Sequence, residues 1–198
     1  MVGDSTYGFQ RTATGRIVLR ADQVERGLLT SVAQQVIDLV KPEELPADAD
    51  PLEAQLGWSS GDVGPSEDPA VARLLPSAYA DERDAADFRR FTERDLREGK
   101  VQHATTVLAE LERSGEKITV GSPDSWLATL NDARLAIGTR IQISDDNHEE
   151  LAALPGDDPR AGLFHVYDWL TFLQESLVRC LDPTLYGFSE DDAPVIDD

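Results

Sequence analysis

The sequence predicts a mainly α-helical (α+β) domain, with about five helices packed around a small antiparallel sheet of two or three strands. Apolar residues recur every three or four positions along several segments, and a hairpin pattern stands near the N-terminus. The length of 198 residues and a hydrophobic share of 40% suit one folded domain with appendages. We therefore expect a single helical domain over residues 1–182 and a flexible acidic tail over 183–198.

The formal net charge of -20 is concentrated in three segments. Residues 41–68, residues 145–158 and the tail from Asp182 carry -7, -6 and -6, which leaves about -1 for the rest. The body is thus nearly neutral, and residues 41–66 are predicted to be an acidic loop or linker. Trp58 in that loop either packs back on the body or is exposed.

This charge disfavours autonomous nucleic-acid binding, because such binding rests on basic residues that displace counterions from phosphates. The acidic charge fits better with basic protein partners, or with partners that do not bind through strong electrostatic attraction. No stretch has the roughly 18 apolar residues of a membrane span, and the N-terminus lacks an apolar signal segment. We expect a cytoplasmic protein without membrane contact.

The first elements are a hairpin and a capped helix. YGFQR and RIVLR are joined by TATG, in which Gly15 supplies a positive φ. Asp22 and Glu25 then form a D-x-x-E capping box. Apolar residues follow every four positions from Val24 to Val40, so a helix should end before Pro42.

Two helices are predicted next. Asp68-Pro69 places an N-cap before a proline at N1, which starts a short helix that ends near Leu75. A long helix follows from about Asp81 to Arg113, with a bend or break at Gly99. Between Glu82 and Lys100 it interleaves six basic and six acidic residues, which favours ion pairs on a solvated face over a basic docking stripe.

The remaining elements are a strand and two helices. KITV (117–120) is predicted to add a third strand to the hairpin, and Ser122-Pro123 to start a helix with an apolar stripe that ends at Ile141. After an acidic loop, apolar residues at helical spacing predict a final helix from about Arg160 to Leu181.

No residue pattern points to catalysis, a metal or a cofactor. The three histidines, His103, His148 and His165, are far apart, so a metal site would need tertiary convergence. The chain has no G-x-S-x-G elbow and no glycine-rich phosphate loop. We expect a non-enzymatic protein.

The segment WLATLNDARLAIGTR (126–140) places weak helix formers inside a predicted helix, at Asn131, Asp132 and Gly138. A buried hydrogen-bond network and a close helix crossing would explain them. Alternatively, Asp132, Arg134 and Arg140 form a recognition surface.

Cys180 is the one cysteine, so an intramolecular disulfide cannot form. It lies on nearly the same helical face as Trp169, where a small buried hydrophobic residue is the default interpretation. Redox sensing is the alternative, and it requires an exposed thiol in an electropositive environment.

Three blocks of sequence carry a family resemblance: EDPAVARLLPSAYADERDAADFRRFTERDLREGK, WLATLNDARLAIGTRI and YDWLTFLQESLV. Together with the opening hairpin they resemble the AosR family of actinomycete oxidative-stress transcriptional regulators, formerly a domain of unknown function. The resemblance covers nearly all of the chain outside residues 41–66 and the tail.

The resemblance implies a cytosolic regulator of transcription in the oxidative and thiol stress response, and it transfers no catalytic residue. Charge suggests that such a regulator acts through a basic surface on a sigma factor or RNA polymerase. The alternative is a protein-interaction adaptor, for example in proteostasis. The apolar helix faces also allow a homodimer.

Overall fold

A computed structural model describes residues 7–42, 64–113, 115, 117–182, 184 and 195–196. Within these ranges the chain forms six helices and a small sheet, so the predicted mainly α class is confirmed. The elements in chain order are β1 (Gly8–Thr12), β2 (Ile17–Arg20), α1 (Gln23–Val40), α2 (Pro69–Leu74), α3 (Glu82–Arg113), β3 (Lys117–Thr119), α4 (Pro123–Arg140), α5 (His148–Ala152), α6 (Pro159–Leu181) and β4 (Val195–Ile196).

The sheet has the order β3-β2-β1-β4. The antiparallel part consists of three strands, with Phe9 opposite Leu19 and Leu19 opposite Ile118, which confirms the predicted third strand. Gly15 has a φ of +81° in the hairpin turn, as predicted. The short strand β4 pairs parallel to β1, so two residues of the acidic tail join the sheet.

Helix α1 begins as the sequence indicates. The Asp22 carboxylate accepts hydrogen bonds from the backbone of Val24 and Glu25, and the Glu25 side chain accepts one from the Asp22 backbone, which completes the capping box. The helix buries the face that carries Leu29, Val32, Ala33, Val36 and Val40. Val24, the first residue of the predicted stripe, is instead exposed because it lies in the first turn, beyond the core.

Helix α3 runs without interruption through Gly99, so the predicted break is absent. Its C-terminal half packs Ala104, Val107 and Leu111 into the core. The Arg26 guanidinium donates hydrogen bonds to the carbonyls of Leu111 and Gly115 and so ties α1 to the end of α3.

The N-terminal half of α3 holds the predicted ion pairs, but not all of them are solvated. Arg94 and Glu98 form an exposed pair. Arg89, in contrast, is buried beneath the segment between α2 and α3, where it donates to the Ser77 hydroxyl and pairs with Glu93. Arg97 pairs with the same Glu93 carboxylate group. These contacts attach the charged half of α3 to its neighbours.

The main core lies where the sheet, α1, α3, α4 and α6 converge. Trp126 of α4 is fully buried at its centre, and the Phe9 ring stands edge-on to it with the centroids 5.3 Å apart. Leu170, Leu173 and Leu177 of α6 complete the packing.

Two smaller clusters complete the body. Val40, Val71, Leu74 and Leu75 anchor α2, whose N-cap Asp68 accepts from the Ala70 amide, as predicted. The segment predicted to be an acidic loop contains the short helix α5, which buries Leu151 against Phe164 and Ile141. One apolar anchor is enough to dock this acidic turn of helix.

Several expectations fall mainly outside the described residues, namely most of the acidic segment 41–66 with Trp58 and most of the tail after Asp182. The boundaries 1–182 and 183–198 therefore stay predictions. No helix in the described ranges has the length and apolar character needed to cross a membrane.

Candidate functional site

Cys180 lies in the last turn of α6 and belongs to the main core. Its side chain is 5% exposed, and burial raises the pKa of the thiol to about 11, although Arg11 and Arg179 act in the opposite direction. The thiolate is the reactive form of cysteine, so a raised pKa and a buried sulfur both slow oxidation. The site matches the core interpretation more closely than the environment that redox sensing requires.

Asp132 projects from α4 towards α3, where its carboxylate accepts a hydrogen bond from Lys100 Nζ at 2.7 Å. The two side chains are 5% and 22% exposed. Burial raises the pKa of Asp132, and the hydrogen bond from Lys100, together with the charges of Lys100 and His103, lowers it in part. The carboxylate joins two helices at a desolvated position.

A second polar contact between the same helices lies beside this pair. His103 Nδ1 is 3.1 Å from Ser125 Oγ, and Ser125 Oγ is 2.8 Å from Ser122 Oγ. The sequence gives no sign of this grouping, because His103 and Ser125 belong to different helices. Ser125 is buried, so its hydroxyl is closed to a substrate. The contact explains why Ser122 makes no side-chain cap at the start of α4.

The other residues of the 126–140 segment separate into contacts with α6 and exposed positions. Arg134 donates to Gln174 Oε1 at 2.8 Å and lies over the Tyr167 ring, 5.3 Å from its centroid. Asn131 and Arg140 are exposed. Gly138 marks a close approach, since an added Cβ would stand 2.9 Å from Ile143 and 3.3 Å from the Tyr167 ring. The four predicted residues thus do not converge on one surface.

Glu110 is a buried carboxylate that the sequence reasoning missed. It accepts hydrogen bonds from Trp126 Nε1 at 2.8 Å and from the Gly121 amide at 3.1 Å. The contact joins α3 to the turn before α4 and fixes the central tryptophan. The nearest sequence signal is the position of Glu110 within an apolar stretch of α3.

An aromatic face on the N-terminal half of α3 was also missed. We define it by Tyr79, Phe88, Phe91 and Leu96, which are 51%, 42%, 55% and 52% exposed. The rings of Tyr79 and Phe88 stand edge-on, 5.5 Å apart. The available signal was the presence of three large apolar residues within a stretch dominated by charges.

This aromatic face borders a shallow groove with a cavity volume of about 30 Å³, between α3 and the segment that precedes it. Leu75, Pro76 and Ala78 line one side, and Phe88 and Leu96 line the other. Within the described residues no group of three or more His, Cys, Asp or Glu side chains is placed to hold a metal ion.

Comparison with known proteins places the chain in a family. Residues 6–181 match the family described as "Domain of unknown function (DUF2017)". Over 173 residues the chain is 32% identical to the protein named "Oxidative stress regulator AosR" in Mycobacterium tuberculosis and in Mycobacterium bovis, with 79% of this chain and 78% of each relative covered. The chain belongs to the AosR family. No solved structure matches it.

Membership of the AosR family confirms the resemblance seen in the sequence. The family match ends at residue 181, so it contains α1 to α6 and the antiparallel part of the sheet. Both Cys180 and the aromatic face of α3 lie inside the matched region.

Proposed function

We propose that this AosR-family protein is a non-enzymatic regulator of the oxidative and thiol stress response that acts on transcription through protein partners such as a sigma factor or RNA polymerase. The observation that carries the proposal is the similarity to proteins named oxidative stress regulators over about four-fifths of the chain. The acidic charge supports action through proteins, because a net charge of -20 opposes direct binding to phosphate backbones.

The environment of Cys180 favours oxidant sensing by a partner protein over sensing by this cysteine. A buried thiol with a pKa of about 11 reacts slowly with oxidants, so the oxidant signal would reach this protein through a partner rather than through its own cysteine. The protein then works as a binding component of the response.

The test is affinity capture of the tagged full chain from its own cells, with and without an oxidant pulse, together with the Cys180→Ser variant. We expect a sigma factor or RNA polymerase subunit to be enriched after the pulse, equally with wild type and variant. If oxidant dependence disappears in Cys180→Ser, the cysteine is the sensor and the hypothesis that a partner senses the oxidant is wrong.

Two further outcomes would change the proposal. Enrichment of proteases or chaperones without polymerase or sigma factor would replace it with the adaptor function. Tight, sequence-specific binding of promoter DNA by the protein alone at about 0.1 M salt would show that no protein partner is needed.

A further inference from the structure

We draw no further inference here: the strongest candidate, the open cavity between the sheet and the start of α1, sets the basic Arg20 and Lys117 beside the acidic Asp22 and Glu25, and nothing in the structure shows what covers it.

Discussion

Lys100→Met tests how strongly the buried pair between α3 and α4 stabilises the fold. Lys100 Nζ lies 2.7 Å from Asp132 Oδ1, and the aspartate side chain is only 5% exposed. Methionine keeps most of the aliphatic length of lysine, so the variant removes the charge with little change in packing. The carboxylate then remains desolvated without its closest cation.

The magnitude follows from the exposure of the two partners. Removing one member of a buried ion pair costs about 3–5 kcal/mol. The pair is not fully sealed, since the Lys100 side chain is 22% exposed, and His103 also lowers the pKa of Asp132. We therefore expect a loss near the lower limit, about 3 kcal/mol in the free energy of unfolding near neutral pH.

The loss depends on pH in a defined direction. Burial already raises the pKa of Asp132, and removal of Lys100 should raise it further. A carboxyl group with a raised folded-state pKa contributes most to stability below its unfolded pKa of about 3.9, where it is protonated in both states. That contribution declines as the pH rises through the folded pKa, because only the unfolded chain ionises the group without penalty.

Urea unfolding between pH 4 and 8 measures this effect for wild type, Lys100→Met and Lys100→Met/Asp132→Asn. The single variant should differ little from wild type at pH 4 and most at neutral pH. The double variant should recover most of the loss, because it has no charge left to bury. A loss in Lys100→Met that is the same at every pH, or no recovery in the double variant, would refute this account of the pair.

Three other predictions follow from single contacts. Gly138→Ala should lower the free energy of unfolding by about 1–3 kcal/mol, because the added methyl group overpacks the site. Gly99→Ala should raise the free energy of unfolding by up to about 1 kcal/mol, because an added Cβ there meets nothing within 4 Å. Urea unfolding of both variants compares the two sites directly, and equal effects would contradict the prediction. Trp126→Phe removes the hydrogen-bond donor to buried Glu110 and should lower the free energy of unfolding by about 1–3 kcal/mol in the same assay. An unchanged urea midpoint would show that this hydrogen bond does not stabilise the fold. In the folded protein, Cys180 should have a roughly 300-fold smaller thiolate fraction near neutral pH than an ordinary cysteine. A thiol reagent should therefore label Cys180 slowly until urea unfolds the chain. Rapid labelling of the folded protein would show that the thiol is accessible and would contradict this prediction.

Local patterns were sufficient for most of the secondary structure. The capping box of Asp22 and Glu25 and the N-cap of Asp68 each satisfy backbone groups within a few residues, so the sequence alone indicates where their helices start. Gly15 likewise fills a turn position that needs a positive φ. The family, too, could be recognised from sequence blocks, and the comparisons confirmed it.

Local patterns were less reliable where a single residue or a distant neighbour decided the outcome. Gly99 suggested a break in α3, but the cost of one glycine is small compared with the packing of a 32-residue helix. The acidic segment around Leu151 was expected to be a loop, yet the burial of that one leucine docks a turn of helix. Propensity is a weak prior that tertiary packing overrides.

Tertiary structure decided which residues meet at the candidate sites. The sequence determined which residues are unusual for a helix, Asp132 among them. It also determined that Cys180 has no second cysteine in the chain with which to form a disulfide. Only the packing of α3 against α4 decided that Asp132 meets Lys100 and that Glu110 holds the central tryptophan, because these contacts join residues 32 and 16 positions apart. Only the fold decided which side of α3 faces the body and which of its aromatic side chains stay exposed. Burial depends on which elements converge, and that is a non-local property that no spacing along one helix contains.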